Sequence, residues 1–473
     1  MRNTSVFIFL LTAIFTAASV NAAEKQLKLP KDLPPYGPLK PLQTKDIKQT
    51  KLENALEVWL VPAPGFPKVS IVLAVRGGLA ADPKDRPGMA DFLAATVTEG
   101  TKTRTAKQLA SEIQGQGGDL DAEATADAIF IKTTVLAEGA QTALALLADV
   151  AQNAAFADQE VEIARNNLSS SLEAEEAEPS FLAKRTLYRA LFPDHPYGVI
   201  SATKQSLAAT RPTDLRQEYA RRFRPDRALL VVAGDFDVDQ GLHLIRSAFA
   251  SWSALSQAPV AQVPQPGRSR TIEVLYVPRP NSVQTTLYLG TLAPNLASPD
   301  YYPAKVANAI YGGMFGSRLV ENIREDKGYT YSPHASISNY RETGVLTTRA
   351  DVRNAVTGAS LNEIDYELNR LASTSPSDDE LNRAKRFLVG SIALSSQSRE
   401  AITRLLANLW INGLPPQELW LQGDKVEHVS AADVESAGRK YFPAARMTIV
   451  AVGDEKVIKD SLSPFGFEFK KAQ

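Results

Sequence analysis

Apolar residues follow a period of two in some stretches of the chain and a helical period in others. Leu56–Val61 alternates as a strand does, and Val69–Val75 predicts a second strand that ends at a pair of glycines. Met89, Phe92 and Leu93 then recur on one face of a helix. Further predicted elements are a helix near Lys107–Gln114, strands within Leu120–Val135 and a long helix over Ala137–Ala151. Hairpins mixed with helices predict an α+β fold, in which helices cover an antiparallel-rich sheet.

An internal repeat indicates that the chain contains this unit twice. The motif that begins at Asp214 and ends at Gly234 recurs from Asp433 to Gly453, at a constant offset of 219 residues. In both copies an apolar strand precedes a Gly-Asp turn. We therefore expect two homologous domains with Gly234 and Gly453 at equivalent places. The predicted boundaries are 44–255 for the first domain, 268–473 for the second, and 256–267 for a linker rich in Pro, Gln and Ala.

The first 22 residues have the features of a secretory signal peptide. A charge at Arg2 precedes an apolar run over Val6–Ala18 and a small-residue cleavage site at Val20-Asn21-Ala22. The run is too short to anchor the chain in a bilayer. Residues 23–43 contain several prolines and predict an extended N-terminal segment. These features predict a periplasmic protein without a membrane anchor.

Composition excludes some partners and one kind of stabilisation. The chain has 52 basic and 53 acidic residues, 44% hydrophobic residues and no cysteine. Such a charge balance gives no reason to expect nucleic acid or an anionic membrane as a partner. Because no disulfide can form, the hydrophobic cores must stabilise the fold.

The stretch over residues 311–332 is the strongest candidate for chemistry. Its glycines predict a loop, and Ser317 is a suitable N-cap for a helix that should end at Gly328. Arg324 should then end this helix and Tyr331 should begin a strand. Local pattern alone favours structural roles, since a basic residue suits a helix C-terminus and an aromatic one suits a strand. The glycines of the predicted loop are Gly312, Gly313 and Gly316.

This stretch resembles the second half of the pitrilysin and insulysin family of zinc peptidases, which includes the mitochondrial processing peptidase. The family pattern contains an arginine and a tyrosine seven residues apart, in a setting of Gly-Gly, Ser-Arg-Leu, Ile-Arg-Glu and Gly-x-x-Tyr. Arg324 and Tyr331 match that pair and its spacing. The resemblance implies that both are catalytic and substrate-binding residues that reach a peptide bound at a zinc ion.

The resemblance also indicates what this chain lacks. The family carries His-x-x-Glu-His on a helix of its first half, and a glutamate further on, to bind zinc and activate water. The corresponding positions here are Asp91, Ala94 and Ala95, with Ser171 at the place of the downstream glutamate. At most one natural ligand remains. We therefore predict that this chain binds no metal and no other cofactor.

Other candidate ligands do not restore a metal site. The glutamates around residue 173 are expected to form a solvated helix face. No two of the four histidines lie at metal-binding spacing, and His195 is expected to be structural. The residues in question are Glu173, Glu175, Glu176, Glu178, His195, His243, His334 and His428.

One hypothesis is favoured, and two others stay open. The chain would be the non-metal-binding subunit of a periplasmic heterodimeric zinc metallopeptidase, with the zinc ion in a homologous partner subunit and a peptide as substrate. Arg324 and Tyr331 would bind the peptide and stabilise the tetrahedral intermediate. The alternative is a catalytically inactive peptide-binding or scaffold protein of the same fold. A third hypothesis, a hydrolase that uses Asp91 and another carboxylate, lacks a second carboxylate at useful spacing.

Overall fold

The computed structural model describes residues 46–267, 273–466 and 470–472. The predicted signal peptide over residues 1–22 lies outside the described residues, and so does the proline-rich extension over residues 23–43. Within the described ranges, no helix has both the length and the apolar character that crossing a bilayer requires.

The first half of the chain forms a six-stranded sheet with helices around it. Its strands are β1 (Lys48–Lys51), β2 (Glu57–Pro62), β3 (Lys68–Arg76), β4 (Leu120–Ala124), β5 (Ala128–Leu136) and β6 (Ala228–Gly234). Its helices are α1 (Met89–Val97), α2 (Ala106–Gln114), α3 (Ala140–Asn153), α4 (Asp158–Ala177), α5 (Pro179–Leu191), α6 (Lys204–Ala209), α7 (Pro212–Arg222) and α8 (Val238–Phe249). The strand order is β1-β2-β6-β3-β5-β4, and only the pair β2–β6 is parallel.

The helix that carries the lost zinc motif is α1, and its start is fixed by hydrogen bonds. The backbone N–H groups of Gly88 and Ala90 donate to the carboxylate of Asp82, at 2.9 and 3.0 Å. Gly88 has a φ of +86°, and a Cβ there would lie 2.3 Å from the Cβ of Ala202, so only glycine fits this turn. The predicted apolar face of the helix is buried, including Phe92 and Leu93.

The second half of the chain repeats this arrangement. Its strands are β7 (Val274–Pro278), β8 (Gln284–Ala293), β9 (His334–Asn339), β10 (Gly344–Arg353), β11 (Thr448–Gly453) and β12 (Lys470–Lys471). Its helices are α9 (Tyr301–Asn308), α10 (Arg318–Val320), α11 (Thr357–Ser373), α12 (Asp378–Ser395), α13 (Arg399–Ile411), α14 (Glu418–Glu427), α15 (Ala431–Tyr441) and α16 (Glu455–Leu462). Two π-helical segments, Ala309–Gly313 and Glu321–Asp326, continue α9 and α10. The strand order is β12-β7-β11-β8-β10-β9.

The internal repeat seen in the sequence is confirmed by the two sheets. β6 lies between β2, which is parallel to it, and β3, which is antiparallel. β11 lies in the same way between parallel β7 and antiparallel β8. Gly234 pairs with Pro62 at the end of one strand and Gly453 with Pro278 at the end of the other. The equivalence of Gly234 and Gly453 is therefore correct.

Two helices at equivalent places in the repeat each pack on the sheet of the other half. α5 and α13 occupy residues 179–191 and 399–411, an offset of 220 residues. α5 packs across β8 and β11 of the second sheet, where Leu187 is buried beside Val450. α13 packs across β3 and β6 of the first sheet, where Leu406 is buried in one core cluster with Val72 and Val231. Each half therefore supplies a helix that covers one face of the other half's sheet.

The predicted linker over residues 256–267 lies within the described residues. Residues 256–267 form neither helix nor strand. The carbonyl oxygen of Pro264 in this segment lies 2.9 Å from Nε2 of His195, on the first half. The other ring nitrogen of His195, Nδ1, accepts a hydrogen bond from the N–H of Tyr197 at 3.1 Å. Both contacts agree with the expected structural role of His195.

Candidate functional site

The glycines before Arg324 allow close packing of the backbone. Gly312 and Gly313 lie in the helical segment Ala309–Gly313, so the predicted loop at these two residues is wrong. A Cβ on Gly312 would lie 2.8 Å from the Cβ of Ala335 on β9, and one on Gly313 would lie 2.7 Å from Nδ2 of Asn308. Glycine is therefore required here by the approach of the helix to β9.

The helix that carries Arg324 follows the prediction at most of its positions. Ser317 occupies the N-cap, although its side chain accepts no capping hydrogen bond. Leu319, Val320 and Ile323 are buried as the apolar stripe predicted. Gly328 has a φ of +60°, and its N–H donates to the carbonyl of Arg324 at 3.1 Å, which ends the helix as predicted.

Two further contacts fix this helix against its neighbours. Arg318 is buried and donates to the Glu380 carboxylate of α12 at 2.6 and 3.1 Å. Its guanidinium group, together with backbone and hydroxyl donors, lowers the pKa of Glu380 to about 2. Asn322 donates to Glu367 of α11 at 2.8 Å. The segment that positions Arg324 is therefore tied to two long helices, and Arg318 is a structural residue.

Tyr331 does not begin a strand, contrary to the prediction. β9 begins at His334, and Tyr331 lies in the loop before it. The hydroxyl of Thr330 donates to the backbone carbonyl of Asp351 at 2.7 Å and fixes this loop to β10. Because Thr330 is buried while the strand has not yet begun, the Tyr331 side chain projects into solvent and is 80% exposed.

The structure brings the two predicted residues together and adds a third. The guanidinium carbon of Arg324 lies 4.8 Å from the ring centroid of Tyr331 and 4.7 Å from that of Phe315. Both distances are within the range of cation–π attraction. Nε of Arg324 is 3.1 Å from the Glu325 carboxylate, and the Arg324 side chain is 27% exposed. Arg324 and Tyr331 thus form one surface cluster in which the tyrosine is exposed and the arginine is partly buried.

Phe315 is a site residue that the sequence did not reveal. It lies in the turn between the two helical segments and is 66% exposed, which is unusual for a phenylalanine. The only available signal was a single aromatic residue within a glycine-rich turn. That signal does not say which side chain the ring will contact, since the contact with Arg324 depends on how the chain folds back.

The four positions that correspond to the zinc motif come together elsewhere, around a cavity of about 560 Å³. Asp91, Ala94 and Ala95 of α1 line it, and Ser171 of α4 lies across from them. Arg324 and Tyr331 do not line this cavity. Within this chain, the two sets of residues singled out in the sequence thus form two separate sites.

Asp91 is the titratable residue at the centre of the lost motif. Burial, together with the nearby carboxylates of Asp82 and Glu175, raises the pKa of its carboxyl to about 7. Asp82 itself is engaged by Arg222, whose guanidinium nitrogen lies 2.9 Å from it. A carboxyl group with such a pKa exchanges its proton near neutral pH.

Comparison with known proteins gives the family. A model described as Insulinase (Peptidase family M16) matches residues 57–203, and one described as Peptidase M16 inactive domain matches residues 211–388. Together they span more than half of the chain. The chain belongs to the M16 peptidase family. The range that matches the inactive-domain model begins at the start of α7 in the first half and ends within α12 of the second half.

Several M16 relatives align over most of their length. An uncharacterized zinc protease of Mycobacterium leprae is 27% identical over 372 residues, which cover 78% of this chain and 82% of that protein. The non-peptidase homolog YmxG of Helicobacter pylori is 25% identical over 426 residues, which cover 88% of this chain and 95% of that protein.

Solved structures confirm the predicted α+β fold with two similar halves. A peptidase M16 inactive domain from Pseudomonas fluorescens superposes with a TM-score of 0.81 at 23% identity, covering 86% of this chain and 98% of that chain. A protease from Helicobacter pylori also gives a TM-score of 0.81, at 16% identity, covering 86% of this chain and all of that one.

The residues of this M16 chain do not fit the zinc ion that the family implies. Of the four aligned positions, only Asp91 has a side chain that binds zinc readily, whereas catalytic zinc sites use three protein ligands. Within the described ranges, no group of three or more His, Asp or Glu side chains could hold a metal ion.

The acidic run is largely a solvated face of α4, as expected. Glu173 pairs with Lys204 at 2.9 Å and Glu176 with Arg185 at 2.7 Å, while Glu175 and Glu178 are exposed. Surface pairs of this kind satisfy the carboxylates without a metal. Glu175 differs from the others in also lining the cavity beside Asp91.

Proposed function

We propose that this chain is the zinc-free subunit of a periplasmic, heterodimeric M16 zinc peptidase, to which it contributes Arg324 and Tyr331. A homologous partner subunit holds the zinc ion, and the substrate is an extended peptide. The observation that supports this most is the contact between Arg324 and Tyr331, in which the tyrosine is 80% exposed and the arginine, paired with Glu325, is 27% exposed. The predicted signal peptide over residues 1–22 and the absence of the zinc ligands at Asp91, Ala94 and Ala95 support the rest.

The roles of the two residues follow from their chemistry. The partner's zinc site supplies the nucleophile. As charge develops on the carbonyl oxygen under attack, the Tyr331 hydroxyl donates a hydrogen bond to it, and this is worth most in the transition state. Arg324 donates to a neighbouring carbonyl of the peptide. The rings of Phe315 and Tyr331 hold the guanidinium group between them, so little side-chain freedom is lost on binding.

The alternative is a peptide-binding or scaffold protein of the same fold. The name of the Helicobacter pylori relative, a non-peptidase homolog, belongs to that protein and favours this alternative here only by analogy. A scaffold has no need for an arginine and an exposed tyrosine in contact at this spacing. Activity in the complex therefore separates the two proposals.

The test begins with purification of the tagged mature chain from its native periplasm, with metal analysis of the proteins that co-purify. The complex is then reconstituted with Tyr331→Phe or with Tyr366→Phe as a matched control, since Tyr366 is also solvent-exposed, at 55%. We expect Tyr331→Phe to lower kcat for a short peptide by about 10²–10³-fold and the control to be unchanged. Full activity of Tyr331→Phe in an intact heterodimer would leave the scaffold proposal as the better one.

A further inference from the structure

The cavity at the lost zinc position has a size that suits a ligand. Its volume of about 560 Å³ is within the range of small-molecule and side-chain binding sites. The walls come from α1, β4, α4 and the segment over residues 196–202. Alanines form much of the lining, at Ala94 and Ala95 of α1 and at Ala122 and Ala124 of β4. The replacement of histidine and glutamate by alanine at the motif thus leaves room for a side chain.

The charge of this cavity is not balanced from within. Asp91 lies in the first turn of α1, and burial together with the carboxylates of Asp82 and Glu175 governs its protonation. No described residue donates a hydrogen bond to the Asp91 carboxylate or forms an ion pair with it. Asp91 is partly buried, and a carboxylate that is partly withdrawn from water without such a partner is destabilised in its charged form. A cationic group of a ligand would remove that destabilisation.

The other charged groups around the cavity do not supply this cation. Glu123 on β4 pairs with Lys132 at 3.5 Å, and Asp82 pairs with Arg222. Lys184 on α5 also lines the cavity, with its ammonium nitrogen 5.7 Å from the ring of Tyr188, and it does not contribute to the pKa of Asp91. The side of the cavity next to Asp91 therefore carries a net negative charge.

The cavity also lies along a free strand edge. Among the described strands, β4 is the last of the first sheet and is paired on one side only, with β5. Its residues 122–124 line the cavity. An edge of this kind presents backbone N–H and C=O groups that an extended peptide can pair with. The strand edge can therefore hold a peptide backbone while the cavity takes one of its side chains.

We propose that this cavity binds an extended peptide with a basic side chain, whose backbone adds to the free edge of β4 and whose guanidinium or ammonium group pairs with Asp91. In this chain the site of the lost zinc ion becomes a subsite for lysine or arginine. The inference depends neither on a partner subunit nor on Arg324 and Tyr331. It can therefore hold or fail independently of the proposed peptidase complex.

Binding to the purified mature chain alone tests the proposal. The probes are fluorescein-labelled, N-acetylated, C-amidated peptides of about ten residues, rich in Val and Thr, with a central Arg or a central Gln. Fluorescence anisotropy at low salt and a pH near 8 should give about tenfold or tighter binding of the Arg peptide than of the Gln peptide. Two further versions of the Arg peptide carry N-methyl groups on the odd-numbered or on the even-numbered backbone nitrogens. Only one of the two should bind more weakly, because in a strand paired on one side only every second N–H donates to the neighbouring strand.

The matched variants are Asp91→Asn and Asp158→Asn. Asp158 also lies in the first turn of a helix, α4, but it is 90% exposed and outside the cavity. Asp91→Asn should abolish the preference for the Arg peptide, and Asp158→Asn should retain it. Circular dichroism of each variant checks the fold, and Glu175→Gln, which should reduce the preference, provides a second variant at the cavity.

Three results would overturn the proposal. The first is equal binding of the Arg and Gln peptides to the wild-type chain. The second is a preference for Arg that persists in a folded Asp91→Asn protein. The third is tight binding of a Gln peptide that has a free α-amino group, combined with no binding of the acetylated Arg peptide, which would assign the cavity to a peptide N-terminus instead.

Discussion

The two halves of this M16 chain share one sheet order, but different side-chain interactions connect a helix to the sheet in each half. In the first half, Arg222 at the end of α7 is fully buried and contacts the Asp82 carboxylate at 2.9 Å and the carbonyl of Gly77 at 2.9 Å. In the second half, Tyr441 at the end of α15 donates to Asp300 at 2.7 Å. Arg222 and Tyr441 are 219 residues apart, the offset of the repeat.

This difference shows that two halves with the same backbone arrangement can be stabilised by different side-chain interactions. In the first half a buried ion pair connects the end of a helix to the loop after a central strand. In the second half the half-buried hydroxyl of Tyr441 makes the equivalent connection. Only the ion pair also positions a site, because Asp82 caps α1, the helix that carries Asp91. The first half thus depends on a buried charge network, whereas in the second half Tyr441 and the half-exposed Lys440 both donate to Asp300 near the surface.

The largest expected effect is that of breaking the buried network. Arg222→Met should lower the free energy of unfolding by about 3–5 kcal/mol, because Asp82 and Glu218 lose the cation that they share. Tyr441→Phe at the equivalent joint should cost about 1 kcal/mol. Urea unfolding followed by circular dichroism measures both. Equal losses from the two variants would contradict the contrast between the halves.

Because α5 and α13 each pack on the sheet of the other half, a substitution in either helix should destabilise both halves by a similar amount. Leu187→Ala on α5 and Leu406→Ala on α13 should each cost about 2–5 kcal/mol, since both leucines are buried against the sheet of the other half. Both variants should unfold in one transition, with tryptophan fluorescence and far-UV circular dichroism coinciding. Separate transitions for the two halves would show that the crossing helices do not couple them.

Asp91 should lower stability only when it is ionised. Its pKa is about 7 in the folded chain and about 3.9 in an unfolded one, so the unfolded state releases its proton first as pH rises. The contribution of Asp91 to stability therefore falls between about pH 4 and 7 and is constant above. Asp91→Asn should stabilise the chain at pH 8 by an amount on the order of 2 kcal/mol and have no effect below about pH 4.

The measurement is the thermal midpoint of wild type, Asp91→Asn and Asp158→Asn across that pH range. The exposed Asp158 provides the control, and its variant should follow the wild type at every pH. A stabilisation by Asp91→Asn that is the same at pH 4 and pH 8 would mean that the carboxyl group does not titrate in this window.

The smallest effect on stability should come from Phe315. Its ring is exposed and contacts Arg324, so Phe315→Ala should cost at most about 0.5–1 kcal/mol of folding free energy. In the proposed complex it should raise KM more than it lowers kcat, because it frees the guanidinium group while leaving Tyr331 in place. Phe315→Tyr should restore the wild-type KM. If Phe315→Tyr lost as much activity as Phe315→Ala, stacking of the ring on Arg324 would not explain the effect of Phe315→Ala.

Much of the fold was determined by local pattern and repetition. The apolar runs over Leu56–Val61 and Val69–Val75 predicted β2 and β3, and both strands are buried along nearly their whole length. The 219-residue repeat predicted that β6 and β11 take equivalent places. The absence of zinc ligands at Asp91, Ala94 and Ala95 was likewise a matter of side-chain chemistry alone, and it needed no coordinates.

Tertiary structure decided the contacts between residues that are distant in sequence. The exchange of α5 and α13 between the sheets leaves no periodic signal, since a buried helix face looks the same whichever sheet it covers. Tyr331 lies in a loop because Thr330 bonds to β10, which local propensity cannot anticipate. The stacking of Phe315 on Arg324 and the unpaired carboxylate of Asp91 both depend on chain segments that meet only after folding, because the distance between two side chains is set by the packing of the elements that carry them.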